Sequence, residues 1–154
     1  MLYPGLYKTH LNRRFSLIFT AIRESDHKVY VVGYYLEPTR REKQTLLAIP
    51  LEVFIDRSMS GPRFEYLNKG TEQTPDGIFL DGGPATFEHF KGGRYLVYGV
   101  ATCQEEDGEQ YVFYAPEEGH QAFFLRPLSE FTEQVERDGY SGPRFNKVNN
   151  PFTT

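Results

Sequence analysis

The sequence lacks most of the features that mark a secreted, membrane or disulfide-bonded protein. It has no tryptophan and one cysteine, Cys103, so no disulfide can form within the chain. It contains no apolar run of about 18 residues. The start of the chain lacks the unbroken apolar core of a secretory signal. These absences predict a cytoplasmic protein without a membrane segment.

Motifs that would indicate catalysis or cofactor binding are also missing. The chain has no phosphate-binding or dinucleotide-binding glycine loop, no zinc-binding His-Glu-x-x-His motif, no Cys-x-x-Cys pair and no nucleophile elbow. Its four histidines (His10, His27, His89 and His120) lack the spacing of metal ligands. An acidic run beside Cys103 is expected to raise the pKa of its thiol, which disfavours a nucleophile. The sequence predicts no catalytic residue, no cofactor and no metal.

The charge of the chain narrows its choice of partners. The net charge is -4 at pH 7, which argues against non-specific binding to nucleic acid or to an acidic membrane surface. The acidic clusters at 105–107 and 117–118 fall in predicted turns, where charges are normally solvated. With 39% hydrophobic and 16% aromatic residues, the chain is expected to form packed cores.

One five-residue segment, SGPRF, occurs twice, at 60–64 and at 141–145. The match extends upstream in the same order, with IPLEVF facing RPLSEF and RFSLIFTA facing RYLVYGVA. Fixed block order with small drifts in spacing is typical of a structural repeat whose loops vary. We therefore predict two copies of one unit, called repeat 1 (7–67) and repeat 2 (87–148).

Each copy has the pattern of a small β-rich unit. Aromatic and β-branched runs flank turn signals, as around Asp107 and Gly108. A third strand stops at Pro50 or Pro127, and the next residues, through Val135 in repeat 2, are expected to form a short helical turn. The predicted fold class is mostly β, with two tandem small SH3-like barrels or rolls, each with a short helical turn. The predicted division is a divergent barrel repeat at 1–67, a linker at 68–86 and a second barrel at 87–154.

Repeat 2 carries a specific set of residues in fixed order and spacing. They are His89, Phe90, Lys91, Gly92, Tyr95, Val97, Gly99, Ala101, Val112, Tyr114, Arg126, Pro127, Leu128, Phe131, Val135, Gly139, Pro143, Arg144 and Phe145. In these residues the segment 87–148 resembles the bacterial family called domain of unknown function 1653. The resemblance implies an SH3-type β-barrel and no established activity, so it supplies no catalytic residues. The chain departs from the family pattern in two places. The family often has a tryptophan just before the Arg-Pro pair, where this chain has Phe124 and Leu125. In repeat 1, Ile49 replaces the arginine of that pair.

Residues shared by the two copies are expected to serve the fold. The shared segment is interpreted as a strand-entry motif in which the prolines fix the chain, the arginines pair with a carboxylate or carbonyl, and the phenylalanines fill the core. Its residues are Pro62, Arg63, Phe64, Pro143, Arg144 and Phe145.

Residues peculiar to repeat 2 are the candidates for a binding site: His89, Lys91, Tyr98, Tyr114 and Arg126. Aromatic rings beside an arginine and a lysine suit a shallow recognition groove. The main functional hypothesis is therefore a non-enzymatic interaction module that presents an aromatic and basic groove to a peptide or a protein. In the simpler structural interpretation, Lys91 belongs to a turn and the tyrosines complete the core.

Two other functions stay open at this point. A small-ligand sensor or small enzyme would have its site between the two barrels, with His89 or His120 and Glu117 or Glu118 as acid and base. A nucleic-acid surface would combine the tyrosines with basic residues, but the net charge disfavours it; those residues are Arg13, Arg14, Arg40, Arg41, Lys43 and Lys91. The sequence leaves the oligomeric state open.

Overall fold

The computed structural model describes residues 2–37, 45–58, 61–70, 84–118 and 122–148. Its strands are β1 Gly5–Thr9, β2 Arg14–Arg23, β3 Val29–Tyr35, β4 Leu47–Pro50, β5 Phe64–Asn68, β6 Ala85–His89, β7 Arg94–Cys103, β8 Glu109–Pro116, β9 Phe123–Pro127, β10 Gln134–Arg137, β11 Tyr140–Pro143 and β12 Phe145–Lys147. The helices are α1 Leu51–Phe54, α2 Leu128–Phe131 and a 3-10 turn at Gln104–Glu106. The predicted mostly β class is confirmed. Within these described ranges, no helix has the length and apolarity needed to cross a membrane.

The two halves of the chain have the same order of elements. Repeat 1 runs β1-β2-β3-β4-α1-β5, and repeat 2 runs β6-β7-β8-β9-α2-β12 with the hairpin β10-β11 inserted before the last strand. Their registers also correspond, since Tyr7 faces Phe15 in repeat 1 and Phe87 faces Tyr95 in repeat 2. Both long hairpins shift register at the corresponding place, after Leu17 and after Val97.

The fourth strand of each repeat, β4 or β9, also pairs with a strand of the other repeat. β4 lies antiparallel to β3 and also pairs in parallel with β7, where Leu47 faces Thr102. β9 lies antiparallel to β8 and pairs in parallel with β2, where Ala21 faces Phe123. The pairings therefore run β2-β3-β4-β7-β8-β9 and return to β2, within one ten-stranded sheet. The prediction of two tandem SH3-like barrels is not confirmed, because strands of both halves join the same sheet.

The described residues of this arrangement form three hydrophobic clusters. The shared core contains residues of both repeats, among them Tyr30, Val32, Phe113 and Leu125. The first outer core lies in repeat 1, and the second outer core lies in repeat 2. Because side chains alternate along a strand, β3 and β8 each supply both a shared and an outer core. This explains why five consecutive residues in each of those two strands are buried.

The repeated segment closes each outer core. Phe64 stacks on Phe54 at the end of α1, with ring centroids 4.3 Å apart. Phe145 stacks on Phe131 at the end of α2, with centroids 4.1 Å apart. The neighbouring backbone bonds correspond as well, because the Arg63 N–H donates to the Asp56 carbonyl and the Arg144 N–H to the Glu133 carbonyl. The prolines, Pro62 and Pro143, directly precede these arginines.

Two local expectations need correction. The helical turn after Pro127 ends at Phe131, and Val135, which we expected on the helix, lies in β10 opposite Gly142. Positive φ angles at Asp138 and Gly139 reverse the chain there and form a hairpin. The predicted linker 68–86 includes Asn68 at the end of β5 and residues 85–86 at the start of β6. Its apolar stretch 78–80 lies outside the described residues.

The stacked phenylalanine pairs give a stability prediction. Phe145 is 6% exposed, so Phe145→Ala is expected to lower the free energy of unfolding by about 3–5 kcal/mol through lost burial and a cavity. Phe64→Ala is expected to cost less, because Phe64 is only partly buried. Chemical denaturation measures both values. Leu11→Ala, at a side chain that is 70% exposed, is the control, and equal losses for Leu11 and Phe145 would contradict the packing role.

Candidate functional site

The structure separates Tyr98 from the other predicted site residues. Tyr98 lies at the register shift of β7 and packs against the shared core, with its ring 5.6 Å from both Phe113 and Phe123. Tyr114 is fully buried in the second outer core. The two tyrosines therefore belong to different cores. The predicted groove cannot use both rings on one surface, and we leave Tyr98 out of the site.

The remaining candidates converge around Phe145. The His89 ring lies edge-on to Phe145 at 4.9 Å, and the Arg126 guanidinium carbon lies 5.4 Å from the centre of the same ring. Tyr114 contacts Phe145 at 6.5 Å. The set Glu24, His89, Tyr114, Arg126 and Phe145 is called the Phe145 cluster below. Lys91 lies beside it on the exposed β6–β7 turn.

Arg126 connects the two repeats electrostatically. Its side chain is 17% exposed and forms an ion pair through Nη2 with Glu24, at the end of the β2 hairpin. A second ion pair joins its Nη1 to Glu130 of α2, at 3.2 Å. A largely buried arginine held by two carboxylates is fixed in position, because separating it from either one would leave a desolvated charge. Glu24 was not identified from the sequence, since nothing near it in the chain indicates a partner.

Two donor atoms of the cluster have no hydrogen-bond acceptor in the part of the chain that the structure describes. Tyr114 Oη and Arg126 Nε are both buried, and neither has a partner among the described residues. Burial, followed by the nearby Glu24, raises the pKa of Tyr114 well above its usual range, so its hydroxyl stays protonated. Glu24 is therefore close, although no bond of acceptable geometry forms. A buried polar group without a partner costs roughly 1–3 kcal/mol, which indicates a position where an acceptor is needed.

His89 is held as a neutral ring. Its Nδ1 accepts a hydrogen bond from the backbone N–H of Lys91 at 3.1 Å. Burial lowers the pKa of His89, and the charges of Arg126, Arg144 and Lys91 lower it further. A neutral imidazole with Nδ1 acting as acceptor carries its proton on Nε2 and donates from there.

Repeat 1 has neither the tyrosine nor the arginine of this cluster. Gly33 is the counterpart of Tyr114, because Gly33 lies opposite Leu17 in repeat 1 as Tyr114 lies opposite Val97 in repeat 2. A Cβ at Gly33 would lie 2.7 Å from the Phe15 ring, so that ring occupies the space of the missing side chain. Ile49 pairs with Val31 as Arg126 pairs with Val112, which agrees with the sequence alignment. The donors of the Phe145 cluster are thus specific to repeat 2.

The sequence interpretation missed a second polar cluster, centred on Glu106. Its carboxylate accepts hydrogen bonds of 2.5 Å from Tyr30 and from Tyr111, which stand at corresponding positions of the two repeats. Arg23 contacts the same carboxylate at 3.3 Å, and Lys28 lies 3.7 Å away. We expected the acidic run 105–107 to be solvated turn charge, but Glu106 is only 24% exposed. It fastens the β7–β8 turn to repeat 1.

Other chemistry finds little support in the described part of the chain. Cys103 is fully buried, and burial together with Glu106 and Glu105 raises the pKa of its thiol to about 11. No group of three His, Cys, Asp or Glu residues in the described ranges could hold a metal ion. Glu117 and Glu118 are exposed, whereas His120, Arg40, Arg41 and Lys43 lie outside the described residues.

The Glu106 cluster predicts a pH-dependent contribution to stability. Burial opposes ionisation of Glu106, but the bonds from Tyr111 and Tyr30 and the charges of Arg23 and Lys28 outweigh it and lower its pKa. The stabilisation is therefore complete above the unfolded-state pKa of about 4.3 and is lost as the pH falls through the lower folded-state value.

Glu106→Gln is accordingly expected to lose about 1–3 kcal/mol of unfolding free energy at neutral pH. The difference from the wild type should shrink below pH ~4.3. Urea denaturation between pH 3 and pH 7 measures it, with the exposed Glu109 changed to Gln as the control. A difference that does not vary with pH would argue against an ionised, hydrogen-bonded Glu106.

The hydroxyl of Tyr114 gives a second prediction, in which a substitution raises the stability of the protein. Tyr114→Phe removes a buried donor without an acceptor and is expected to stabilise the free protein by up to about 1 kcal/mol. Tyr111→Phe is the matched control, because it removes a hydroxyl that donates to Glu106 and accepts from Arg23; this change should destabilise the protein. A loss of stability in Tyr114→Phe equal to that in the control would mean that Tyr114 Oη is satisfied.

The fold and the site together define a small β-protein of two like halves, with a polar cluster in the second half. Residues 85–147 match a family described as a protein of unknown function, DUF1653. A protein of that family from Bordetella bronchiseptica, known from a crystal structure, is 30% identical; the match covers 44% of this chain and 88% of that one, with a TM-score of 0.38. No curated protein matches.

This chain belongs to the DUF1653 family, as its resemblance in repeat 2 predicted. The family match covers repeat 2 and does not reach repeat 1. These comparisons therefore do not confirm that repeat 1 is a divergent copy, and they do not confirm the SH3-like label. The family carries no named activity.

Proposed function

We propose that the protein is a non-enzymatic binding module that recognises a peptide segment of a partner protein at the Phe145 cluster and Lys91. The observation that carries the proposal is the pair of buried donors, Tyr114 Oη and Arg126 Nε, that find no acceptor among the described residues. Both atoms are buried, so a peptide carbonyl or carboxylate must enter the cavity beside Arg126 to supply the acceptor that they require. Lys91, exposed beside Phe90, adds a cation at the rim.

The charges around the cluster favour recognition over acid–base catalysis. Arg126 is neutralised by Glu24 and Glu130, and Arg144 is paired with Glu133. His89 contacts the rings of Phe90 and Phe145. A catalytic histidine needs a proton partner within hydrogen-bond reach, and Glu117 and Glu118, our expected partners, are exposed residues at the end of β8. Fixed donors around an aromatic ring suit the anchor of a binding surface.

A small-ligand sensor is the second candidate. A cavity of about 170 Å³ lies next to Arg126 and is lined by both repeats, with Glu24 and Ser25 from the first and Pro127 and Glu130 from the second. This position agrees with the alternative of a ligand site between the two units. Thermal-shift screening of small polar metabolites tests it, and a hit that is lost in Glu24→Gln would favour this role over peptide recognition.

Selection of peptides from a displayed random library tests the main proposal. Tyr114→Phe is expected to weaken binding of a selected peptide by about tenfold or more, as for a central anchor, while leaving the fold intact. Lys91→Ala is expected to weaken it less, because Lys91 is exposed. Fluorescence anisotropy with labelled peptide measures both.

Two variants serve as controls for that experiment. Tyr95→Phe removes a hydroxyl from the ring 5.5 Å from Tyr114, and Lys147→Ala removes an exposed charge from β12. Both should bind the peptide as the wild type does. If Tyr114→Phe and Lys91→Ala bind with unchanged affinity, the peptide uses another surface and the assignment to the Phe145 cluster is wrong.

A further inference from the structure

A second cavity, of about 120 Å³, lies in repeat 1 where the β7–β8 turn meets it. We call it the Ile49 cavity. Its apolar lining includes Leu47, Ile49 and Phe64, and its polar lining includes Arg13, Arg63 and Glu105. The two halves both contribute, because Thr102 and Gln104 complete the wall.

The Ile49 cavity corresponds to the space that Arg126 fills in repeat 2. Ile49 occupies the register position of Arg126, and Thr9 occupies that of His89, since Thr9 faces Phe64 as His89 faces Phe145. Each substitution replaces a longer side chain with a shorter one. The phenylalanine that supports the guanidinium in repeat 2 is still present as Phe64. Repeat 1 therefore keeps the walls of the site and lacks the group that fills it.

The charge of the lining has also changed sign. In repeat 2 the carboxylates of Glu24 and Glu130 form ion pairs with the Arg126 guanidinium. At the site in repeat 1, Gln104 of the β7–β8 turn stands where Glu24 would be, and Val53 of α1 stands where Glu130 would be. Among the described residues, the charged residues that line the Ile49 cavity are Arg13, Arg63 and Glu105.

The two cations differ in how they are held. Arg13 lies 3.9 Å over the Tyr35 ring, which orients it. Among the described residues Arg63 forms no ion pair, although its charge helps to lower the pKa of the nearby Asp56, whereas its counterpart Arg144 is paired with Glu133. An arginine at a cavity rim presents forked donors that match a carboxylate. The aliphatic and aromatic floor accommodates an apolar body of modest size.

We propose that the Ile49 cavity binds a small organic monocarboxylate, with its carboxylate on Arg63 and Arg13 and its apolar body on Ile49, Leu47 and Phe64. The proposal is independent of peptide binding at the Phe145 cluster, because it rests on a different cavity and on different residues. It adds a ligand site whose lining comes mainly from the half of the protein outside the family match.

Benzoate is the probe, compared with benzyl alcohol and benzylamine, which keep the ring and change the charge. Titration of the isotopically labelled protein, followed by amide chemical shifts, is expected to show saturable shifts for benzoate alone, centred on Leu11, Arg63 and Thr102. No saturable benzoate shifts at these residues, or equal binding of benzyl alcohol, would overturn the proposal.

Three variants sharpen the test. Ile49→Arg installs the residue that fills this space in repeat 2 and should abolish binding. Gln104→Glu changes an exposed side chain to its counterpart in repeat 2, adding a carboxylate, and should weaken benzoate binding even if Ile49→Arg fails to fold. Arg63→Gln is expected to weaken it by about tenfold or more.

Arg57→Gln is the matched control, since it removes an exposed arginine that does not line the cavity. It should bind benzoate as the wild type does. If Arg57→Gln and Arg63→Gln lose affinity equally, the effect is general charge attraction and the assigned site is wrong. Unchanged affinity in both Arg63→Gln and Gln104→Glu would also overturn it.

Discussion

The structure depends on the exchange of fourth strands, β4 and β9, between the two repeats. β4 and β9 each use one edge to complete their own hairpin and the other edge to pair in parallel with the long strand of the other repeat. A strand edge left unpaired would expose backbone groups to non-native pairing. The exchange satisfies both edges at once and encloses the shared core. Neither half can make that core alone, because its side chains come from both.

The same exchange determines where polar chemistry can lie. Strands β3 and β8 are covered on both faces, so a side chain on them enters either the shared core or an outer core. Tyr30 and Tyr111 reach the end of the shared core, where Glu106 accepts from both. Tyr114 points into the second outer core, where Arg126 and Glu24 approach it. Both polar clusters therefore lie where one repeat contacts the other.

Comparison of the two halves separates structural from chemical roles. The stacked pairs Phe54–Phe64 and Phe131–Phe145 have the same geometry in both, as expected for a contact that closes a core. Tyr114 and Arg126 are replaced together by Gly33 and Ile49. Coordinated replacement is physically reasonable, because a lone buried arginine or phenol without its neighbours would carry an unpaired polar group. One scaffold thus holds a polar cluster in one half and, at the corresponding place in the other half, the Ile49 cavity.

Local pattern was sufficient to predict much of this protein. The long hairpins, the strands that end at Pro50 and Pro127, and the short helical turns depend on neighbours in the chain. They were predicted from alternating apolar residues, from turn signals such as Asp107-Gly108 and from the prolines. The repeat predicted that Ile49 and Arg126 correspond, and the spacing of residues in repeat 2 predicted the family. Edge pairing between halves, however, has no local signal. Only the tertiary structure decided that the two units share a sheet and that Tyr98 and Tyr114 enter different cores. It also decided that Glu24 and Glu106 are held by partners far away in sequence. The reason is that strand exchange brings together residues that no sequence spacing relates.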